Sequence, residues 1–591
     1  MRRASTSALT NRPTAPGSVR WAQRASLVLA ASSTLAVFGC TSLIQGTGYD
    51  NNSPGSGGSG AGSTTGNGGS TSNGGQSNDC DAPSKPIGQR LVRLTFEQYD
   101  NSIAQLLGPT VLGTSAEDPR RREFQALFVE GDLINTQIFQ KTVQLGETAS
   151  NTMTAGFPTI TGCPAANPDD ACATKFILHF AEQAYRRPLT TDEQTSLTQL
   201  YTDTKGILGT VQDAVRETTL GVLTAPEVLY RTEFGKAGAD PKKATLDGYE
   251  VASSLSYFLL NAPPDAGLLA AAAAGKLTDA DGIGKEVDRL LALDSVKQNL
   301  TAVMVAYYGL KGLDGTIKDP GLFPDYTVGV RNSMYNETEL FLQDTLWKGK
   351  LDDLMTSRKT YVNDTLAKFY GVTYPAASGT DFLPFEFPVG QRAGILTHGS
   401  ILSVHARTNT TSVVSRGLFI NGAVLCVQSP PPPPSSVQAQ VQAQLADMTA
   451  TERDKAHYRD TTKPCNSCHV GFDPYGLVLE NYDSIGRIRS MYSNGVAIDT
   501  TGVLPPGAGG GTVPDVTGFV NQVTQNEVFS KCMTSNVMKY ALADASYVDA
   551  QDCNVKNIHD GFQATGKSFP ELIRQIAVSS LISTRAIEST P

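Results

Sequence analysis

The sequence predicts a mainly α, multidomain chain of helical bundles, and three observations carry that reading. The chain has 591 residues, whereas a single hydrophobic core stops growing at about 250–300 residues, so several domains are required. Apolar residues recur at helical spacing along most of the chain, and two of these stretches open on a capping box. Strand signals are sparse by comparison.

The elements follow in chain order. Arg2, Arg3, Arg12, Arg20 and Arg24 precede an apolar run from Ala25 to Gly39 that ends at Cys40, which is the pattern of an export signal. The run is short for a bilayer span. Val37-Phe38-Gly39-Cys40 has the form of a bacterial lipobox: the small residue permits cleavage and the thiol takes up diacylglycerol. An ordinary cleaved signal peptide or a membrane anchor is the plainer alternative. Segment 1–39 is therefore read as a lipoprotein signal peptide and Cys40 as the lipidation site, so the expected partner is a membrane. From Gly46 to Asp79 the chain is almost wholly Gly, Ser, Thr and Asn, too polar to offset the entropy of ordering. Segment 40–88 is expected to be a tether, reaching roughly 30 Å on average.

The folded part begins near Gln89. In Thr95-Phe96-Glu97-Gln98 the hydroxyl and the amide three residues on make a capping box; Phe96, Tyr99, Ile103 and Leu107 form one stripe, and Gly108-Pro109 ends it. A helix over Ala173–Ala184 precedes Arg186-Arg187-Pro188, and Thr190 with Glu193 caps the next, which runs to Tyr201. Stretches of helical period then cover Val211 to Leu223, Tyr249 to Leu260, Ile283 to Leu310 and Val330 to Trp347, joined by short Pro/Gly segments.

The chemistry-bearing motif is Cys465-Asn466-Ser467-Cys468-His469. Cys-x-x-Cys-His lets two thiols bond a haem's vinyl groups while the next histidine reaches the iron. On one helical turn the two cysteines share a face. A zinc knuckle wants a second ligand pair nearby, and the nearest upstream ligand is His457. A redox dithiol would sit in a βαβ frame, which is lacking, and a plain disulfide stays open. With haem c as cofactor, His469 is the proximal ligand and its other ring nitrogen is expected to meet a backbone carbonyl. The second ligand is expected to be Met491, or else His457, which sits among the charges of a solvated helix face. Met533 and Met538 read as core residues. Arg487 has two readings: a helix ion pair with Asp483 four residues back, or, with Arg489, a clamp on the haem propionates. His398 and His405 are seven apart, but a pair with no third ligand is no metal site.

The formal net charge is -9 and no basic block dominates the body, so nucleic acid is not an expected partner. Of nine cysteines, six remain after Cys40, Cys465 and Cys468, an even number that suits an oxidising compartment. Cys163 is expected to pair with Cys172 and Cys532 with Cys553, leaving Cys80 with Cys426 by elimination.

Arg93-Leu94-Thr95-x-x-x-Tyr99-x-Asn101-x-Ile103-x-x-Leu106-Leu107-Gly108 resembles the opening domain of planctomycete surface proteins that end in a cytochrome-c-like module. Ala184-Tyr185-Arg186-Arg187-Pro188-Leu189-Thr190 resembles their second domain, and Gly248-Tyr249-Glu250-Val251-Ala252 with Pro263-Pro264-Asp265 the third. Arg392-Ala393-Gly394-Ile395-Leu396, Ser415-Arg416-Gly417, the Pro430 to Pro434 run, and Cys465 through Asp473-Pro474-x-Gly476 to Gly486 and Arg489 resemble the cytochrome-related domain. The resemblance implies helical domains at 89–150, 172–235 and 245–372, a cytochrome-c-like module at 390–492 and a helical domain at 515–586. It also implies a cell envelope setting, as an outer membrane lipoprotein facing the periplasm or the cell surface. Two functions from different classes follow. One is lipid-anchored electron transfer with an unknown redox or surface partner. The other is surface interaction or polysaccharide association, with the two cysteines structural or holding another metal. No Gly-x-Ser-x-Gly elbow, His-Glu-x-x-His helix or phosphate-binding Gly loop marks a standard hydrolase or nucleotide enzyme.

Overall fold

The computed structural model describes residues 87–108, 124–128, 136–164, 168–376, 379–428, 433–437, 439, 443, 450–544 and 552–587. The signal segment, Cys40, most of the tether, Cys80 and most of the proline run lie outside them. The described chain is mainly α, with short antiparallel strands between helices. No helix among the described residues is long and apolar enough to cross a membrane.

The capping boxes at Thr95/Gln98 and Thr190/Glu193 are in place and start the helices Phe96–Leu107 and Thr191–Leu208. Tyr99, Ile103 and Leu107 bury one stripe of the first helix against Leu145, Ala149 and Met153 of the helix Thr136–Thr161. The helices Asp170–Tyr185, Thr191–Leu208 and Val211–Leu223 add Ile177, Phe180, Leu197, Tyr201 and Val215 to the same cluster. Apolar residues from segments 89–150 and 172–235 thus meet in one core. Cys163 is bonded to Cys172, closing the turn between two of these helices.

A second and larger cluster takes side chains from Leu246 to Ile582, together with Ile87, Leu127 and Phe128. Its centre is built by the helices Gly248–Leu259, Asp294–Tyr307, Val328–Lys348, Val528–Leu542 and Phe569–Val578. Met533 and Met538 are wholly buried there, as core residues should be. The stretch Ile283 to Leu310 is two helices, Ala280–Leu291 and Asp294–Tyr307, and not one. Leu293 is extended at the break (φ -74°, ψ 135°), and Asp294 restarts the helix from its first turn, where a carboxylate favours the positive end of the dipole.

The first and last described strands meet at a buried charge. Strand Arg90–Arg93 pairs with Tyr230–Glu233, and Thr584–Ala586 pairs with Lys243–Thr245. Glu233 takes Arg585 at 2.6 Å and Arg90 at 2.7 Å. Burial alone would raise its pKa, but Arg90, Arg585 and Arg231 bring it down to about 2.

The remaining disulfide corrects the expected pairing. Cys532 is bonded to Cys426, a separation of 106 residues, and not to Cys553; Cys426 is thereby taken from Cys80. The cause is helical geometry. Ser530 meets His559 of the helix Cys553–Ala564 at 2.8 Å, and Cys532, two residues on, faces about 200° round the helix. That side looks toward the end of the helix Val413–Ala423, where Asn536 also donates to Cys426 Sγ.

Candidate functional site

The Cys-x-x-Cys-His segment lies between two helices, the second of which is placed by close backbone contact. Thr451 and Asp454 form a capping box that starts the helix Glu452–Thr461. After it, Asn466 N donates to Thr462 O, Cys468 N to Cys465 O and His469 N to Cys465 O, which winds the pentapeptide into the single turn Asn466–His469. Gly471 and Phe472 turn the chain into the helix Asp473–Leu477, with Pro474 in its first turn, where its missing N–H costs nothing.

This short helix is fixed against Val413–Ala423 by two glycines. A Cβ on Gly417 would stand 2.1 Å from Phe472 O, and one on Gly476 would stand 2.0 Å from Val413 O. The approach exists only because both lack side chains. Arg416, almost wholly buried, donates to the carbonyls of Leu479, Tyr482 and Asp483 and so holds the loop that follows.

Cys465 and Cys468 are both unbridged and half-buried on the one turn, and Cys468 also rests against the large core. The His469 side chain is 20% exposed, and its Nδ1 lies 3.1 Å from Oδ1 of Asp473. Its ring is 4.8 Å from that of Phe472. The second nitrogen partner is therefore a carboxylate, where a backbone carbonyl was expected. Asp473 is wholly buried, and its Oδ2 accepts from Arg459 Nε at 2.7 Å. Beside them, burial and then the repulsion of Asp473 push the Asp460 carboxyl up to about 6, against the pull of Arg459, His469 and His457.

The other expected residues are placed as follows. Met491 is 59% exposed, in an isolated bridge with Ala497, and His457 is exposed on the helix Glu452–Thr461. No contact among the described residues brings either to His469. Arg487 does pair with Asp483, at 3.3 Å, but across a turn and not along a helix. Arg487 N donates to Asp483 Oδ1, Asp483 N donates to Arg487 O, and Gly486 between them has φ 84°. Arg487 also reaches Asp325, and Arg489 is taken by Glu480 at 3.0 Å. Both guanidinium groups thus carry protein carboxylates.

His398 and His405 stand at opposite ends of the helix Gly399–Val404 and do not meet. Burial first, and then Arg392, push His398 down to about 3, with its Nδ1 3.0 Å from Thr338 Oγ1; burial and Arg416 push His405 down to about 4. Both surroundings favour the neutral ring. No cluster of three or more metal-ligating residues occurs among the described residues.

Three domain families match the chain. Residues 172–233 match PSD5, 246–372 match PSD4 and 392–492 match PSCyt3, each described as a protein of unknown function (DUF1595, DUF1592 and DUF1588). These are planctomycete-type domains. No curated protein and no solved structure matches. The pentapeptide lies in the PSCyt3 segment, whose name alone hints at a cytochrome.

The donor set fits a covalently attached haem. Two unbridged cysteines share one turn, and an imidazole held at Nδ1 by a carboxylate leaves Nε2 for a metal. Sequence reasoning had Asp473 in view as part of a motif but gave it no role. Its position four residues after His469 was the available signal.

Proposed function

We propose that the PSCyt3 segment attaches haem c through Cys465 and Cys468, with His469 as proximal ligand, and that the chain transfers electrons at the cell envelope. The observation that carries this is the contrast among the cysteines. Cys163, Cys172, Cys426 and Cys532 are bridged; of the unbridged cysteines among the described residues, Cys553 stands alone, while Cys465 and Cys468 share one turn beside an anchored imidazole. The haem supplies a one-electron couple. The protein's part is to hold two thiols on one turn, present Nε2 of His469 to the metal, and fix the turn through the Gly417 and Gly476 contacts.

In this reading Cys40 carries the lipid and tethers the module to the outer membrane, with a redox or surface protein as partner. Cys40→Ser is expected to release the protein from the detergent phase; a lipid-labelled Cys40→Ser protein would contradict the anchor. Met491 is the proposed second iron ligand and His457 the substitute, since both side chains are exposed. Loss of the weak sulfur-to-iron absorption band on Met491→Ala supports methionine; its survival there, or its absence from the wild type, rejects it.

A further inference from the structure

Resting on the haem reading, we infer that Asp473 is the positioning residue of His469. It fixes the Nδ1–H tautomer, leaves Nε2 for the iron, and lends the imidazole anionic character that lowers the haem potential. Three observations combine. Asp473 Oδ1 lies 3.1 Å from His469 Nδ1, and Oδ2 accepts from Arg459 at 2.7 Å. Asp473 is wholly buried and the Arg459 side chain only 6% exposed, so water does little to screen that ion pair. The backbone of Phe472, immediately before Asp473, is pressed against Gly417, so the main chain that carries the carboxylate is held in place.

An ion pair that served the fold alone would need only Arg459. A buried carboxylate has further lone pairs to satisfy, and here one is spent on the imidazole rather than on a backbone N–H. A histidine that donates its second N–H to a carboxylate is a stronger ligand, and its tautomer is set before the metal arrives. More electron density on the ligand favours the oxidised iron. Arg459 limits the effect, because its positive charge draws on the same carboxylate.

The test uses the full chain matured with covalent haem, with midpoint potentials measured for the wild type, Asp473→Asn and Asp473→Glu. Asp473→Asn is expected to raise the potential, so that the reduced-to-oxidised ratio at a fixed applied potential grows at least tenfold, about 59 mV for a one-electron couple. Asp473→Glu is expected to recover part of that shift. A change under twofold with His469 still ligated overturns the inference. Where the asparagine variant does not fold, the haem-free wild type labelled with 15N-histidine decides. In mildly alkaline buffer His469 is expected as the Nδ1–H tautomer, and an Nε2–H ring overturns the assignment. The second measurement needs no haem, so a chain that never takes haem defeats the proposed function while the role of Asp473 is still decided.

Discussion

Gly417 and Gly476 show how single atoms set the position of the candidate site. Each faces a carbonyl of the opposite helix, at a distance where any Cβ forces backbone to move. Gly417→Ala in an exposed helix would gain about 1 kcal/mol from propensity. Here overpacking costs about 1–3 kcal/mol or more, so a net loss in urea unfolding is expected, and a gain would show that the helices can part freely. Glu337 is a second residue whose surroundings dominate. Burial pushes its carboxyl up to about 7 from 4.5, against hydrogen bonds from Tyr370 and Thr360 and the charge of Arg392. The folded state then binds the proton more tightly than the unfolded one, so stability present below about pH 4.5 is lost as pH rises through about 7. Glu337→Gln mimics the protonated acid. The variant is expected to gain about 1–3 kcal/mol on the wild type between those limits, and parallel pH profiles would contradict it.

Helices were the legible elements, because a capping box or an apolar stripe is local. Thr95 and Thr190 cap where their sequence places them. What lies across the fold was hidden. The break at Leu293 interrupts an unbroken apolar pattern, and the partner of Cys532 depends on which face its helix turns to a segment 106 residues away. In the same way, the Asp483–Arg487 spacing suggested a helix, but the left-handed Gly486 makes it a turn. Closing so long a loop constrains the unfolded chain. Replacing both Cys426 and Cys532 with alanine is expected to cost about 2–5 kcal/mol by calorimetry or denaturant unfolding. An unchanged midpoint would show that Tyr307, Asn536 and the core hold this junction without the bond.

At the scale of the molecule, one apolar cluster runs through the PSD4 and PSCyt3 segments and the C-terminal helices, so the site rests on a shared core. The Glu233 charge cluster ties both ends of the described chain to that body. The pentapeptide was legible as a motif, since its chemistry lies within five residues. Its anchoring by Asp473 and Arg459 was not, because it depends on the helix Glu452–Thr461 lying beside Asp473, which no local pattern specifies. The most direct measurement is peptide mass mapping of the full chain matured in a host competent for c-type haem attachment. The expected result is a peptide containing Cys465 and Cys468 that carries one haem through both thiols, lost in the Cys465→Ala, Cys468→Ala variant. A wild-type peptide with no haem, whether its thiols are free or joined to each other, would contradict it.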